Sequence, residues 1–88
     1  MSFKVCWEKT ALKQLKNLKS AGLKKDLDCI ISILEENPFK NPPEYEKLNS
    51  GTKNKYSRRL NKKHRVVYQV YKDLKSVKII SVWSHYEY

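Results

Sequence analysis

Eighty-eight residues, 40% of them hydrophobic, suffice for one small core and leave no room for a second, so a single domain over 1–88 is expected. Nineteen Lys and Arg against nine Asp and Glu give a net charge of +10. Such a field favours a polyanionic partner: nucleic acid, an acidic protein or an anionic membrane. No stretch approaches the roughly 20 apolar residues that cross a bilayer, and Met1 to Val5 lack the apolar run of a secretory signal. A cytoplasmic protein without a membrane partner is the expectation.

Phe3, Val5 and Trp7 alternate with Lys4 and Cys6, a short strand pattern. From Lys9 to Lys19, Ala11, Leu12, Leu15 and Leu18 recur at helical spacing among lysines, which predicts an amphipathic helix with those four inside. Gly22 suits the left-handed residue that closes it. A second helix is predicted from Leu23 to Glu36 with Leu23, Leu27, Ile30, Ile31 and Leu34 buried; it ends at Asn37, because proline drives the residue before it out of the α region. Pro38 to Asn54 holds all three prolines and Gly51 and reads as a long loop, the kind that tends to carry function.

Strands follow at Lys55–Leu60, Arg65–Lys72 and Val77–Trp83, the last apolar on both faces as a central strand would be. The expected fold class is therefore α+β, in the order β-α-α-β-β-β, with two N-terminal helices on one face of a mostly antiparallel sheet and the other face free for a ligand. Cys6 and Cys29 have neither CxxC nor metal-type spacing, so reduced core thiols are expected.

The hairpin around residues 55–72 concentrates cations. A three-residue loop at Asn61–Lys63 sets Arg59 opposite Arg65 on one face, whereas a two-residue loop at Lys62-Lys63 sends them to opposite faces. Arg58 must face away from Arg59, where solvation or an ion pair would account for it. Like charges are normally kept apart across a ladder, so an anion lying on the hairpin would explain the first register.

RNA carries its own nucleophile, the 2′-hydroxyl. Cleavage needs a base, an acid for the leaving 5′ oxygen, and cations for the developing charge, with no metal or cofactor required. No His/Cys/Asp group here has ligand spacing. The histidines are His64, at the turn, and His85, counted in phase with Val77, Ile79, Ser81 and Trp83. Glu44 and Glu46 lie in the proline-containing segment just before the strands. Tyr56, Tyr86 and Tyr88 have ring faces on which bases stack, but tyrosines alternating in strands equally fill cores.

Asn37-Pro38-Phe39, Glu46-Lys47-Leu48, Tyr56-Ser57-Arg58-Arg59-Leu60-Asn61, His64-Arg65-Val66-Val67-Tyr68 and Ser81-Val82-Trp83-Ser84-His85-Tyr86 together resemble the YoeB/Txe branch of the RelE/ParE toxin superfamily of type II toxin–antitoxin systems. The resemblance covers nearly the whole chain. It implies a RelE-like fold and a metal-free endoribonuclease that cuts mRNA in the ribosomal A site and so inhibits translation. It further implies Glu46 as general base, Arg65 as the phosphate-stabilising arginine, His85 as general acid and Tyr86 beside it. Arg59 matches a further basic residue of the site; Lys47, Lys55 and Tyr56 are additional substrate-binding candidates, since Asn49 stands where some relatives carry lysine. The partners it implies are the ribosome with its mRNA, an antitoxin of the YefM/Axe type in the Phd family, and a second copy of the chain. Two alternatives remain at this point: a ParE-like inhibitor of DNA gyrase, and a basic module that binds RNA or ribosomes without cutting.

Overall fold

The computed structural model describes residues 2–40, 45–47, 54–60 and 64–82. In chain order these form β1 (Lys4–Trp7), α1 (Lys9–Ser20), α2 (Lys24–Glu36), β2 (Tyr45–Lys47), β3 (Lys55–Arg59), β4 (Arg65–Tyr71) and β5 (Ser76–Ser81). The sheet order is β1-β5-β4-β3-β2, parallel between β1 and β5 and antiparallel elsewhere. The α+β expectation therefore stands, and β5 does lie inside the sheet. One element is new. The segment read as a continuous loop contains β2, whose three residues are too few to show an alternating pattern and become a strand by pairing with β3.

Gly22, at φ 74°, closes α1. The Leu23 N–H then reaches the Leu18 carbonyl at 2.9 Å and the Gly22 N–H the Lys19 carbonyl at 3.2 Å, a Schellman closure. α2 stops at Asn37, which is extended (φ −163°, ψ 105°) because Pro38 follows.

Ala11, Leu18, Leu27, Ile30 and Leu34 from the helices meet Tyr56, Val66, Tyr68, Val70, Val77 and Ile79 from the sheet in one core. Leu12, expected inside, is 50% exposed. It sits roughly 100° around the helix from Ala11, beyond the arc that the sheet covers. Both cysteines are exposed rather than buried. Cys6 stands opposite Lys78 on the polar side of an edge strand, and Cys29 lies off the Leu27–Ile30–Leu34 stripe. Glu8 pairs with Lys78 at 3.0 Å where the chain leaves β1.

β4 and β5 slip register between Val67 and Tyr68, so that Tyr68 faces Ile79 and Val67 faces Ser81. Beyond this irregularity Gln14 of α1 takes hold of the end of β5. Its Oε1 accepts from the Ser81 hydroxyl at 3.2 Å and from the Val82 N–H at 2.8 Å.

Burial raises the Tyr68 hydroxyl to about 12, with nearby Arg58 pulling the other way. The folded chain thus holds this proton more tightly than the unfolded one. The resulting stability is complete below pH 10 and disappears as pH climbs through about 12. Denaturant titrations between pH 9 and 12 should show a smaller loss for Tyr68→Phe than for the native chain.

Candidate functional site

The β3–β4 ladder pairs Arg59 with Arg65, Arg58 with Val66, Ser57 with Val67 and Tyr56 with Tyr68. The Leu60 N–H donates to the His64 carbonyl at 2.9 Å, which leaves three residues, 61–63, to connect the strands. This is the register in which Arg59 and Arg65 share a face. Because β2 pairs Glu46 with Ser57, the glutamate joins them there. That face points away from the helices.

At its centre an Arg65 Nη1 lies 3.3 Å from Glu46 Oε2, and the same nitrogen reaches Ser57 Oγ at 3.4 Å. Arg65 is one-quarter exposed and Glu46 about half, at 25% and 54% of their side chains. Val67 and Ser57 form the buried floor beneath them. Ser57 carries no signal of its own in the sequence, yet its place directly opposite Val67 and beside Glu46 follows from the same alternation that groups the arginines. Lys55, half-buried and opposite Gln69, is the next residue along on this face.

Two substrate-binding candidates are not brought to this patch. Lys47 pairs with Tyr56 and so points to the opposite side from Glu46. Tyr56 is 8% exposed and its ring packs edge-on against Phe39 and Tyr45 and stacked on Tyr68. Its face is consumed by the core and offers no platform on the open side. His85 and Tyr86, like Asn49, lie outside the described residues. Within β5, Val77 and Ile79 face the helices and Val82 joins the same core, while the Ser81 hydroxyl donates to Gln14.

Arg58 is neither solvated nor peripheral. It is 1% exposed and enclosed on the helix side, with Nη2 donating to the carbonyls of Pro38 at 2.9 Å and Lys40 at 2.8 Å, and Nε to the Tyr68 hydroxyl at 3.2 Å. Among the described residues no group of three His, Cys, Asp or Glu is placed to hold a metal ion, and no helix is long and apolar enough to cross a membrane.

Two helices backing a five-stranded sheet whose far face carries the polar cluster is the RelE-like architecture. The chain superposes with a TM-score of 0.79 on a solved archaeal RelE–RelB complex from Pyrococcus horikoshii OT3, at 27% identity and over 100% of both chains. More narrowly, it belongs to the family of YoeB-like toxins of bacterial type II toxin–antitoxin systems, whose model matches residues 6–86. It is similar to the YoeB dimer of Staphylococcus aureus, with a TM-score of 0.81, 26% identity and coverage of 98% of this chain and 100% of that one. It is also similar to the YoeB–YefM complex of the same organism, with a TM-score of 0.76, 27% identity and the same coverage. Comparison with curated proteins gives no match.

An ion pair this exposed contributes little to folding, about 1 kcal/mol at most. Glu46→Gln should therefore leave the denaturation midpoint almost unchanged, which makes it a clean probe of chemistry; a large shift in urea titration would assign Glu46 a structural role instead.

Proposed function

We propose that this toxin is a ribosome-dependent mRNA endoribonuclease working by metal-free acid–base catalysis. The observation that carries the reading is the placement of Glu46 against Arg65, with Arg59 opposite Arg65, on the face that the helices leave open. A bound phosphodiester competes with Glu46 for the Arg65 guanidinium. Once Arg65 turns to the phosphate, the Glu46 carboxylate is released to accept the proton of the 2′-hydroxyl.

The 2′ oxygen then attacks phosphorus and the bond to the 5′ oxygen breaks. Arg65 and Arg59 balance the charge that accumulates on the phosphoryl oxygens. His85 supplies the proton taken up by the leaving 5′ oxygen, with Tyr86 beside it. The products are a 2′,3′-cyclic phosphate and a 5′-hydroxyl end. Lys55 and the surrounding positive field hold the RNA backbone along the open face.

The partners proposed by analogy are an antitoxin and a second copy of the chain. The staphylococcal relative is found both with YefM and as a dimer, and the archaeal one with RelB. An antitoxin of the YefM/Axe type, in the Phd family, would place acidic residues over the Arg59–Arg65 patch.

Primer extension on mRNA after induced expression tests the chemistry. Glu46→Gln and His85→Ala should each reduce cleavage by about 10²–10⁴-fold, and Arg65→Ala by a similar factor, while ribosome binding persists. Variants that still stall translation at native strength without cleavage at any stage would identify a binding module instead. Affinity for ribosomes should also fall by orders of magnitude between about 50 and 200 mM salt as phosphate-bound cations are displaced; a flat profile in a sedimentation assay would contradict a backbone-tracking face.

A further inference from the structure

The buried guanidinium of Arg58 takes no part in the chemistry proposed above, yet it sits one residue from Arg59 and directly behind the site. Its contacts fall on both sides of residues 41–44. Before them, Nη2 binds the carbonyls of Pro38 and Lys40. After them, the Tyr45 ring lies 5.1 Å from the Arg58 Cζ, in cation–π range. Tyr68 reinforces the first set, because its hydroxyl accepts from Arg58 Nε and donates to the Pro38 carbonyl at 3.1 Å. Phe39 and Tyr45 pack edge-on with Tyr56 around the same point.

β2 is a three-residue strand at the margin of the sheet, paired on one side with β3. Tyr45 stands opposite Arg58 in that pairing, and the next residue is Glu46. A guanidinium presents a planar fork that bridges two carbonyls and a hydroxyl at once; an ammonium cannot reproduce that set. Removing it takes this donor from the Lys40 carbonyl and leaves the Pro38 carbonyl with the Tyr68 hydroxyl, a loss concentrated just before residues 41–44.

We infer that Arg58 is a positioning residue: it ties the Pro38–Lys40 segment and Tyr45 to the sheet and thereby holds the Glu46 carboxylate in register with Arg65, without itself touching RNA. The catalytic arm of this inference rests on the nuclease reading; the structural arm does not.

The test compares Arg58→Lys and Tyr68→Phe with the native chain, using amide hydrogen exchange and cleavage kinetics on programmed ribosomes. Arg58→Lys should speed exchange at Lys40 and in the β2–β3 pairing by at least about tenfold while amides between β4 and β5 keep their protection. It should lower kcat by about 10²-fold with KM little changed, the signature of a displaced catalytic group rather than of lost binding. Tyr68→Phe keeps the ring in the core and should show the same pattern more weakly, so it serves if Arg58→Lys does not fold. Exchange that rises equally across the whole sheet, or native protection of β2 together with native kcat, would overturn the inference. If the native chain does not cleave mRNA on the ribosome, the nuclease reading fails by itself, and the exchange pattern still decides whether Arg58 holds β2.

Discussion

The β3–β4 ladder is the constraint on which the molecule turns. Its register assigns every residue from Lys55 to Arg59 to one of two sides, and the sides differ completely. Tyr56 and Arg58 go inward with Val66 and Tyr68; Ser57 and Arg59 go outward with Val67 and Arg65. A slip by one residue would send the core hydroxyls and valines to water and bury the arginines of the open face. The three-residue connection closed by the Leu60–His64 hydrogen bond prevents that. The same pairing sets two guanidinium-bearing residues directly across from each other, an arrangement that opposes strand association. It is tolerated where Glu46 and Ser57 share the load on Arg65.

Adjacent arginines consequently have unrelated environments. Arg59 is exposed and Arg58 is almost wholly enclosed. The enclosed one is satisfied by carbonyls, a hydroxyl and an aromatic face, so the sheet is organised by a cation on its inner side while it presents cations on its outer side. β2 connects the two, since Tyr45 reports to the inner arrangement and Glu46 to the outer.

Much of this was readable from residue spacing. Three- and four-residue recurrences located both helices, Gly22 and Pro38 marked their ends, and the polar turn between alternating runs located the hairpin. The partition of Arg59 and Arg65 needed only the loop length. What spacing does not carry is which side of a strand becomes covered. Tyr56 alternates as a surface aromatic would, and its burial depends on Phe39 and Tyr45 folding over it from a segment with no pattern of its own. Arg58 reads as solvated or ion-paired because charged residues rarely go inside; its place is fixed by carbonyls 20 and 18 residues away, invisible in a list of side chains. Leu12 and Cys29 failed for a simpler reason, namely that the helices offer wider apolar arcs than the sheet can cover. At the end of β5 simple alternation stops, because the adjacent Ser81 and Val82 are both buried.

The margins of the sheet have a consequence for self-association. β1 is four residues long and β2 three, and each carries an exposed lysine, Lys4 and Lys47. A further copy docking its border alongside would find few free peptide groups to engage and would bring ammonium groups into mutual repulsion. Open-ended, fibre-like stacking is thereby discouraged even though the five described strands form an open sheet.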